Sequence, residues 1–510
     1  MRLRFSMFAL ITLGAPVALL AQSTAVTRAA ATITEADVRR RINLIADDSM
    51  GGRNTPSPGL DKTARYIATE FQRLGLKPVG DSGSYLLRYP ISSRRIMAGQ
   101  SAIRFGQISG DRGVRATLSD GAAFLSGPTD AVVKGGVVLV GGSVVLDSLK
   151  PDDLRGRIIV YVPAGSGPPT GGFRTLIGLS RSGARGVVVV VSSDSVVADF
   201  MESQGGLRTT AGDRARGAPV IAVRESAVLA QLPEAAQQFE QLRAAPATVA
   251  LPMLDWEGEI TLRDTTVAEA YAPNVVGMLE GSDPVLKNEY LVYSAHMDHV
   301  GTAGDPGAAC RAMGADSVCN GADDDGSGTV GVLELAEAFR QRGARPKRSV
   351  LFLTVSGEEH GLWGSDWFVH HPPVPLPQIV ADLNADMIGR NWKDTVVVIG
   401  KEHSDLGSTL NRVNAAHPEL NMHAIDDPWP EQNFYARSDH FNFARKGVPV
   451  LFFFNGVHND YHRPTDSPDK IDAEKESRIV KLLFFVGQDV ANAKERPRWV
   501  AASYQQVVVP

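Results

Sequence analysis

From about residue 265 onward, short apolar runs alternate with amphipathic stretches, and this order constrains the fold more than any other feature of the chain. The runs Tyr290–Ala295, Ser349–Val355, Ile379–Ala385, Thr395–Ile399 and Val448–Phe454 read as strands. Between them Ser327–Arg342 and His403–His417 carry helical periodicity, and a longer helix is expected over Ala473–Ala493. Strand and helix in alternation predict an α/β fold with a mostly parallel central sheet flanked by helices. In such a sheet, ligands gather where the strands end at their carboxyl edge.

The chain has 510 residues, which at roughly 150 residues per domain suggests more than one. Ahead of the alternating region the texture differs. Residues 34–76 look helical, with Thr34 placed to cap Glu35–Ile45 and Asp37 as the acidic half of a capping box. Leu60–Leu74 carries apolar residues at helical spacing before Gly75. From about 96 to 255, β-rich runs broken by glycine take over, among them Val137–Val140, Arg157–Val162 and Gly186–Val191, with Thr175–Ser182 as the clearest helix. A separate β-rich domain is expected there.

Arg2 and Arg4 precede an apolar run from Phe5 to Leu20, followed by Ala21, which describes a secretory signal peptide over residues 1–21. Interrupted by Gly14 and Pro16, the run is short of the roughly 20 residues that a membrane span needs. A secreted or periplasmic location is expected, with no membrane attachment once the segment is removed. The remaining composition is that of a soluble globular protein, 43% hydrophobic and 21% charged. A net charge of -5 offers no basic field to recruit nucleic acid. Two cysteines exclude a thiolate-rich zinc cluster, so any metal would rest mainly on His and carboxylates. In an oxidising compartment Cys310 and Cys319 form an even pair expected to bridge, the alternative being two free thiols.

Five strand ends or loops carry metal-type ligands. After Tyr290–Ala295 comes His296-Met297-Asp298, in which residues two apart share a face and Asp298 can hydrogen-bond the His296 ring. Asn320-Gly321-Ala322-Asp323-Asp324-Asp325-Gly326-Ser327-Gly328 precedes a helix, and three successive carboxylates repel one another unless cations offset them. Ser349–Val355 ends in Ser356-Gly357-Glu358-Glu359, where one carboxylate can ligate while its neighbour takes a proton from the attacking water. Asp386 closes Ile379–Ala385, and Asp460-Tyr461-His462 follows Val448–Phe454 and its loop. Taken singly, each reads as an ordinary polar turn. Together they place His, Asp, Glu, Asp and His along one parallel sheet, a set of N and O ligands suited to two zinc-like ions sharing a carboxylate. The other histidines, His299 among them, read as surface or core residues, with His360 and His440 near enough in sequence to line a pocket.

These residues resemble the secreted di-zinc aminopeptidases of the bacterial leucyl aminopeptidase type, with glutamate carboxypeptidase and glutaminyl cyclase as relatives. The motifs that carry the resemblance are His296-Met297-Asp298, Gly321 to Gly328, Glu358-Glu359, Asp386 and Tyr461-His462, with Tyr435-Ala436-Arg437-Ser438-Asp439-His440 as a further piece. The resemblance implies two zinc ions bridged by Asp324, one also held by His296 and Asp386, the other by Glu359 and His462. It implies Glu358 as general base, Tyr435 as donor to the oxyanion and Asp298 as support behind His296. It further implies a catalytic domain over residues 33–95 and 260–495, interrupted at 120–255 by a protease-associated domain. Peptide substrates follow from it, cleaved at the N-terminus. A glutamate-carboxypeptidase-like activity and a non-catalytic, peptidase-like binding protein are the alternatives.

Overall fold

The computed structural model describes residues 24–164, 172–203, 208–211 and 217–508, so the expected signal peptide lies outside the described residues. The chain divides into two compact units, one joining Met1–Tyr89 to Tyr271–Pro510 and the other formed by Pro90–Ala270.

The first unit opens with α1 (Glu35–Ile45), where the Thr34 hydroxyl accepts from the Asp37 N–H and donates to its carboxylate. The helical stretch expected over 34–76 is broken before α2 (Pro58–Arg73). Pro56 and Pro58 lack the N–H that a continuing helix requires, and Pro58 instead begins the new helix behind the Ser57 cap.

Its strands are β1 (Leu86–Ile96), β2 (Asp264–Leu279), β3 (Tyr290–His296), β4 (Ser349–Val355), β5 (Ile379–Ala385), β6 (Thr395–Ile399), β7 (His423–Ile425) and β8 (Val450–Phe454). Their order is β7-β6-β8-β5-β3-β4-β2-β1. The centre is parallel, β3 pairing with β4 and β5, and β5 with β8. On the flanks β2 runs antiparallel to β4, and β6 antiparallel to β8. The reversal at β6 follows from chain length. Only residues 386–394 join β5 to β6, fewer than the dozen or so that a parallel crossover takes.

Strands β4, β5 and β8 are buried along their whole length, and β3 is buried beyond its first residue. That is why they read as unbroken apolar runs and not as alternating ones. Helices α3 (Gly328–Phe339), α4 (Trp363–His370), α5 (Leu406–Ala416), α6 (His440–Arg445), α7 (Ala473–Asn492) and α8 (Ala501–Val507) also belong to the unit. Phe339 of α3 packs edge-on against Phe484 of α7 at 4.8 Å, and Tyr293 of β3 donates from its hydroxyl to the Leu483 carbonyl at 2.9 Å. Cys310 and Cys319 are disulfide-bonded in the loop between the first two ligand motifs, and both are buried. Among the described residues, no helix is long and apolar enough to cross a membrane.

The second unit holds a sheet in the order Gly113–Thr117, Ala102–Gln107, Val249–Leu262, Ala131–Gly141, Ile158–Val162, Gly186–Val191, Val220–Arg224, Ala122–Ser126. Its middle strands, from Ala131–Gly141 to Val220–Arg224, pair in parallel. Side chains alternate between two cores, Val188 and Val190 into one, Val187 and Val189 into the other. Burial on both faces accounts for the run of five valines from 187 to 191.

Candidate metal centre

Strand β3 delivers His296 at its carboxyl end, β4 runs into Glu358 and Glu359, and β5 into Asp386. The loop before α3 supplies Asp324, and the loop after β8 supplies His462. Parallel pairing brings these ends to one edge. His296 Nε2 lies 3.3 Å from Asp324 Oδ1 and 3.5 Å from Asp386 Oδ1. His462 Nε2 lies 3.2 Å from Asp324 Oδ2 and 3.0 Å from Glu359 Oε2. Asp324 thus stands between two imidazoles, one oxygen toward each.

The loop that carries Asp324 is held by its two acidic neighbours. Asp325 accepts from the backbone N–H groups of His296, Gly328 and Met387 at 3.1, 2.8 and 3.1 Å. Asp323 accepts from the Gly389 N–H at 2.6 Å, and Asp466 accepts from the N–H groups of Asp323 and Asp324. Of the three successive carboxylates, only the middle one faces both histidines. The turn at Gly321 is left-handed, and a Cβ there would come within 2.5 Å of the His299 ring, so the position needs glycine twice over.

Asp298 has partners besides the His296 ring. Its carboxylate accepts from Thr55 Oγ1 at 2.9 Å, from the Gly357 N–H at 2.7 Å and from the Glu358 N–H at 3.3 Å. The atom closest to His296 Nδ1 is the Asp298 carbonyl oxygen at 3.2 Å, with its carboxylate at 3.6 Å. The residue orients the ring through its backbone and uses its side chain to fasten the Glu358 turn.

His299, read from sequence as an ordinary histidine, belongs to the cluster. It is fully buried, with Nδ1 2.9 Å from Glu359 Oε1 and 3.6 Å from Asp324 Oδ2. Its bond occupies one Glu359 oxygen and leaves the other toward His462. The available signal was its place directly after Asp298. Arg53 was missed as well. Fully buried, it donates to the carbonyls of Met297, Ile45, Asn320 and Gly321 at 2.5–3.1 Å, tying the first two ligand loops together.

The adjacent carboxyls of Glu358 and Glu359 are driven in opposite directions. Burial pushes Glu358 well above the usual carboxylate range, with Glu359, Asp439 and Asp386 adding to the shift and His296 opposing it. Burial and Asp324 also push Glu359 upward, but hydrogen bonds from His299 and His462 outweigh them and hold it below its ordinary value. Environments that separate two neighbouring carboxyls in this way divide acid–base work from charge-bearing work.

Two tyrosines stand near the cluster, and their surroundings differ. Tyr435 packs edge-on against His403 at 4.4 Å and His440 at 5.3 Å, and its hydroxyl is buried without a hydrogen-bond partner. Burial raises its pKa, and the one carboxylate that adds to the shift is Glu402, outside the cluster. Tyr461 stacks on His462 at 3.8 Å. Burial, then Asp324, Glu359, Glu358 and Asp386, all raise its pKa, which places it among the site's charges.

The donor set is imidazole and carboxylate without thiolate, which suits zinc. Asp324 Oδ2 and His462 Nε2 are buried without a well-directed hydrogen bond, which fits the donor atoms of a cation. Fold and donor set together define a candidate metal centre at the carboxyl edge of the sheet. Residues 274–486 match the profile of Peptidase family M28. A probable leucine aminopeptidase of Arthroderma otae is 27% identical over 218 residues, covering 41% of this chain and 56% of its own. Leupeptin-inactivating enzyme 1 of Streptomyces exfoliatus is 28% identical over 228 residues, 41% of each chain. The chain spans about half the length of the curated relatives it matches. Among solved structures, an aminopeptidase from Aneurinibacillus sp. strain AM-1 aligns with a TM-score of 0.48 at 17% identity, covering 92% of this chain and 96% of that one.

Proposed function

We propose that this protein is an exported, zinc-dependent aminopeptidase that removes N-terminal residues from peptides at a two-metal site. The observation that carries the reading is Asp324, poised between His296 and His462, beside a carboxyl pair of opposed proton affinity. His296, Asp324 and Asp386 would hold one ion, and Asp324, Glu359 and His462 the other. Zinc held there supplies Lewis-acid polarisation of the scissile carbonyl and acidifies the attacking water. Glu358 takes the proton from that water and returns it to the leaving amine. Tyr461 donates from its hydroxyl to the developing oxyanion.

Met387, next to Asp386, is buried in an apolar cluster with Phe434 and Phe454, against which Trp429, Tyr435 and Tyr461 pack. The names of the relatives, a leucine aminopeptidase among them, support amine-end cleavage. The leading apolar run and the Cys310–Cys319 bridge support export to an oxidising compartment. The unit Pro90–Ala270, with its resemblance to a protease-associated domain, supplies none of the residues named in the chemistry.

A panel of aminoacyl and N-blocked peptides, assayed with and without a chelator, tests the function. Cleavage confined to free-amine substrates and abolished by the chelator is expected. Hydrolysis of N-blocked substrates bearing a free C-terminal carboxylate would overturn the aminopeptidase reading. The tyrosine assignment has its own test. Tyr461→Phe is expected to lower kcat by about 10²–10³-fold with zinc content intact. Tyr435→Phe should leave kcat near the parent value.

A further inference from the structure

Strand β5 carries Asp382 and Asn384 at alternate positions on one face of the sheet and runs into Asp386 two residues on. Ser294 of β3 lies opposite Asn384 in register. Ser294, Asp382 and Asn384 are fully buried, and Ser438 nearly so, in the middle of an otherwise apolar sheet. Ser294 Oγ is 2.8 Å from both Asp382 Oδ1 and Asn384 Oδ1. Asn384 Nδ2 donates to Ser438 Oγ at 3.1 Å, and Ser438 Oγ donates to Asp386 Oδ2 at 2.8 Å.

Counting hydrogens fixes the direction of every link. Asn384 Nδ2 only donates and its Oδ1 only accepts, while each serine hydroxyl has a single hydrogen to give. Ser438 receives from Asn384 and spends its hydrogen on Asp386. Ser294 must give its hydrogen to Asn384 Oδ1, which has none. The 2.8 Å contact between Ser294 and Asp382 then needs a hydrogen from Asp382. Turning the Asn384 amide over reverses the chain and moves the proton to Asp386, which would put a neutral acid where a cation ligand is required.

We propose that Asp382 is a neutral carboxylic acid at the head of this one-way chain and is a positioning residue for Asp386. The proposal rests on the reading of Asp386 as a zinc ligand. Ser438 engages Asp386 Oδ2 and so reserves Oδ1, the atom nearest His296 Nε2, for the cation. Asp382 Oδ2 is buried without a hydrogen-bond partner, a smaller burden for a neutral acid than for a carboxylate. Burial pushes the Asp382 carboxyl well up, and Asp439 is the charged group that adds to it.

Infrared spectroscopy of the zinc-loaded enzyme at neutral pH tests the protonation directly. A carbonyl stretch of an un-ionised carboxylic acid is expected in the parent enzyme and absent from Asp382→Asn. Competition with a chromophoric chelator reads the positioning role. Asp382→Asn keeps a donor toward Ser294 and should hold zinc as the parent does. Asp382→Ala and Ser294→Ala, which cut the chain, should bind the more labile zinc about 10–100-fold more weakly. Ser294→Ala retains the carboxyl group and guards against a folding defect confined to position 382. A zinc-loaded parent without the Asp382 band would overturn the proposal, as would equal weakening in Asp382→Asn and Asp382→Ala. A parent enzyme that takes up no zinc would instead overturn the metallopeptidase reading, and this inference with it.

Discussion

Replacing Glu358 with alanine is expected to lower kcat by about 10²–10⁴-fold while the protein still takes up its full complement of zinc. Glu359 is the member of the pair that lies against His299 and His462, and the elevated proton affinity of Glu358 marks it as the group that exchanges protons. Glu359→Ala should lose zinc as well as activity, because Glu359 is the carboxylate beside His462. Metal analysis alongside turnover separates the two. Near-normal activity in Glu358→Ala would remove the residue from the mechanism. The pH dependence carries a sign. Glu358 accepts a proton only when ionised, so kcat/KM falls as pH is lowered through its raised pKa.

The second large effect is expected at Arg53. Its guanidinium satisfies four backbone carbonyls in a fully buried setting and faces the charges of Asp324, Asp298, Asp325 and Asp466. Arg53→Met removes the donors and leaves those carboxylates uncompensated. With buried carbonyls left unpaired at about 1–3 kcal/mol each, the metal-free protein should lose roughly 3–5 kcal/mol of stability. Denaturant unfolding monitored in the presence of a chelator reads this loss. Arg53→Lys brings fewer donors and should lose less. A midpoint unchanged in Arg53→Met would show that the two ligand loops hold their positions without it.

The ligand candidates were legible because each stands where an apolar run stops, and runs buried on both faces are easy to find. His296, Asp324, Glu359, Asp386 and His462 come together in the folded unit for that reason. Less local features escaped. His299 looked ordinary because its contact with Glu359 spans 60 positions and depends on the left-handed turn at Gly321. Arg53 reaches partners 244 to 268 positions away, beyond any periodicity. Tyr435 drew attention through the motif around it, whereas the tyrosine among the charges is the one adjoining His462. The two helices α1 and α2 were legible as the separate segments Glu35–Ile45 and Leu60–Leu74, with Pro56 and Pro58 between them.

The division of the first unit into two chain segments bears on how the protein is made. Pro90–Ala270 is contiguous and can begin to fold as soon as it leaves the ribosome. Residues 24–89 have no such option, because Arg53 and its carbonyl partners lie on either side of that whole stretch. The centre is completed only when His462 has been synthesised, and the closure of so long a loop makes this the slow, high-contact-order step. Proteolytic activity of the kind proposed would therefore stay silent until nearly the entire polypeptide is in place.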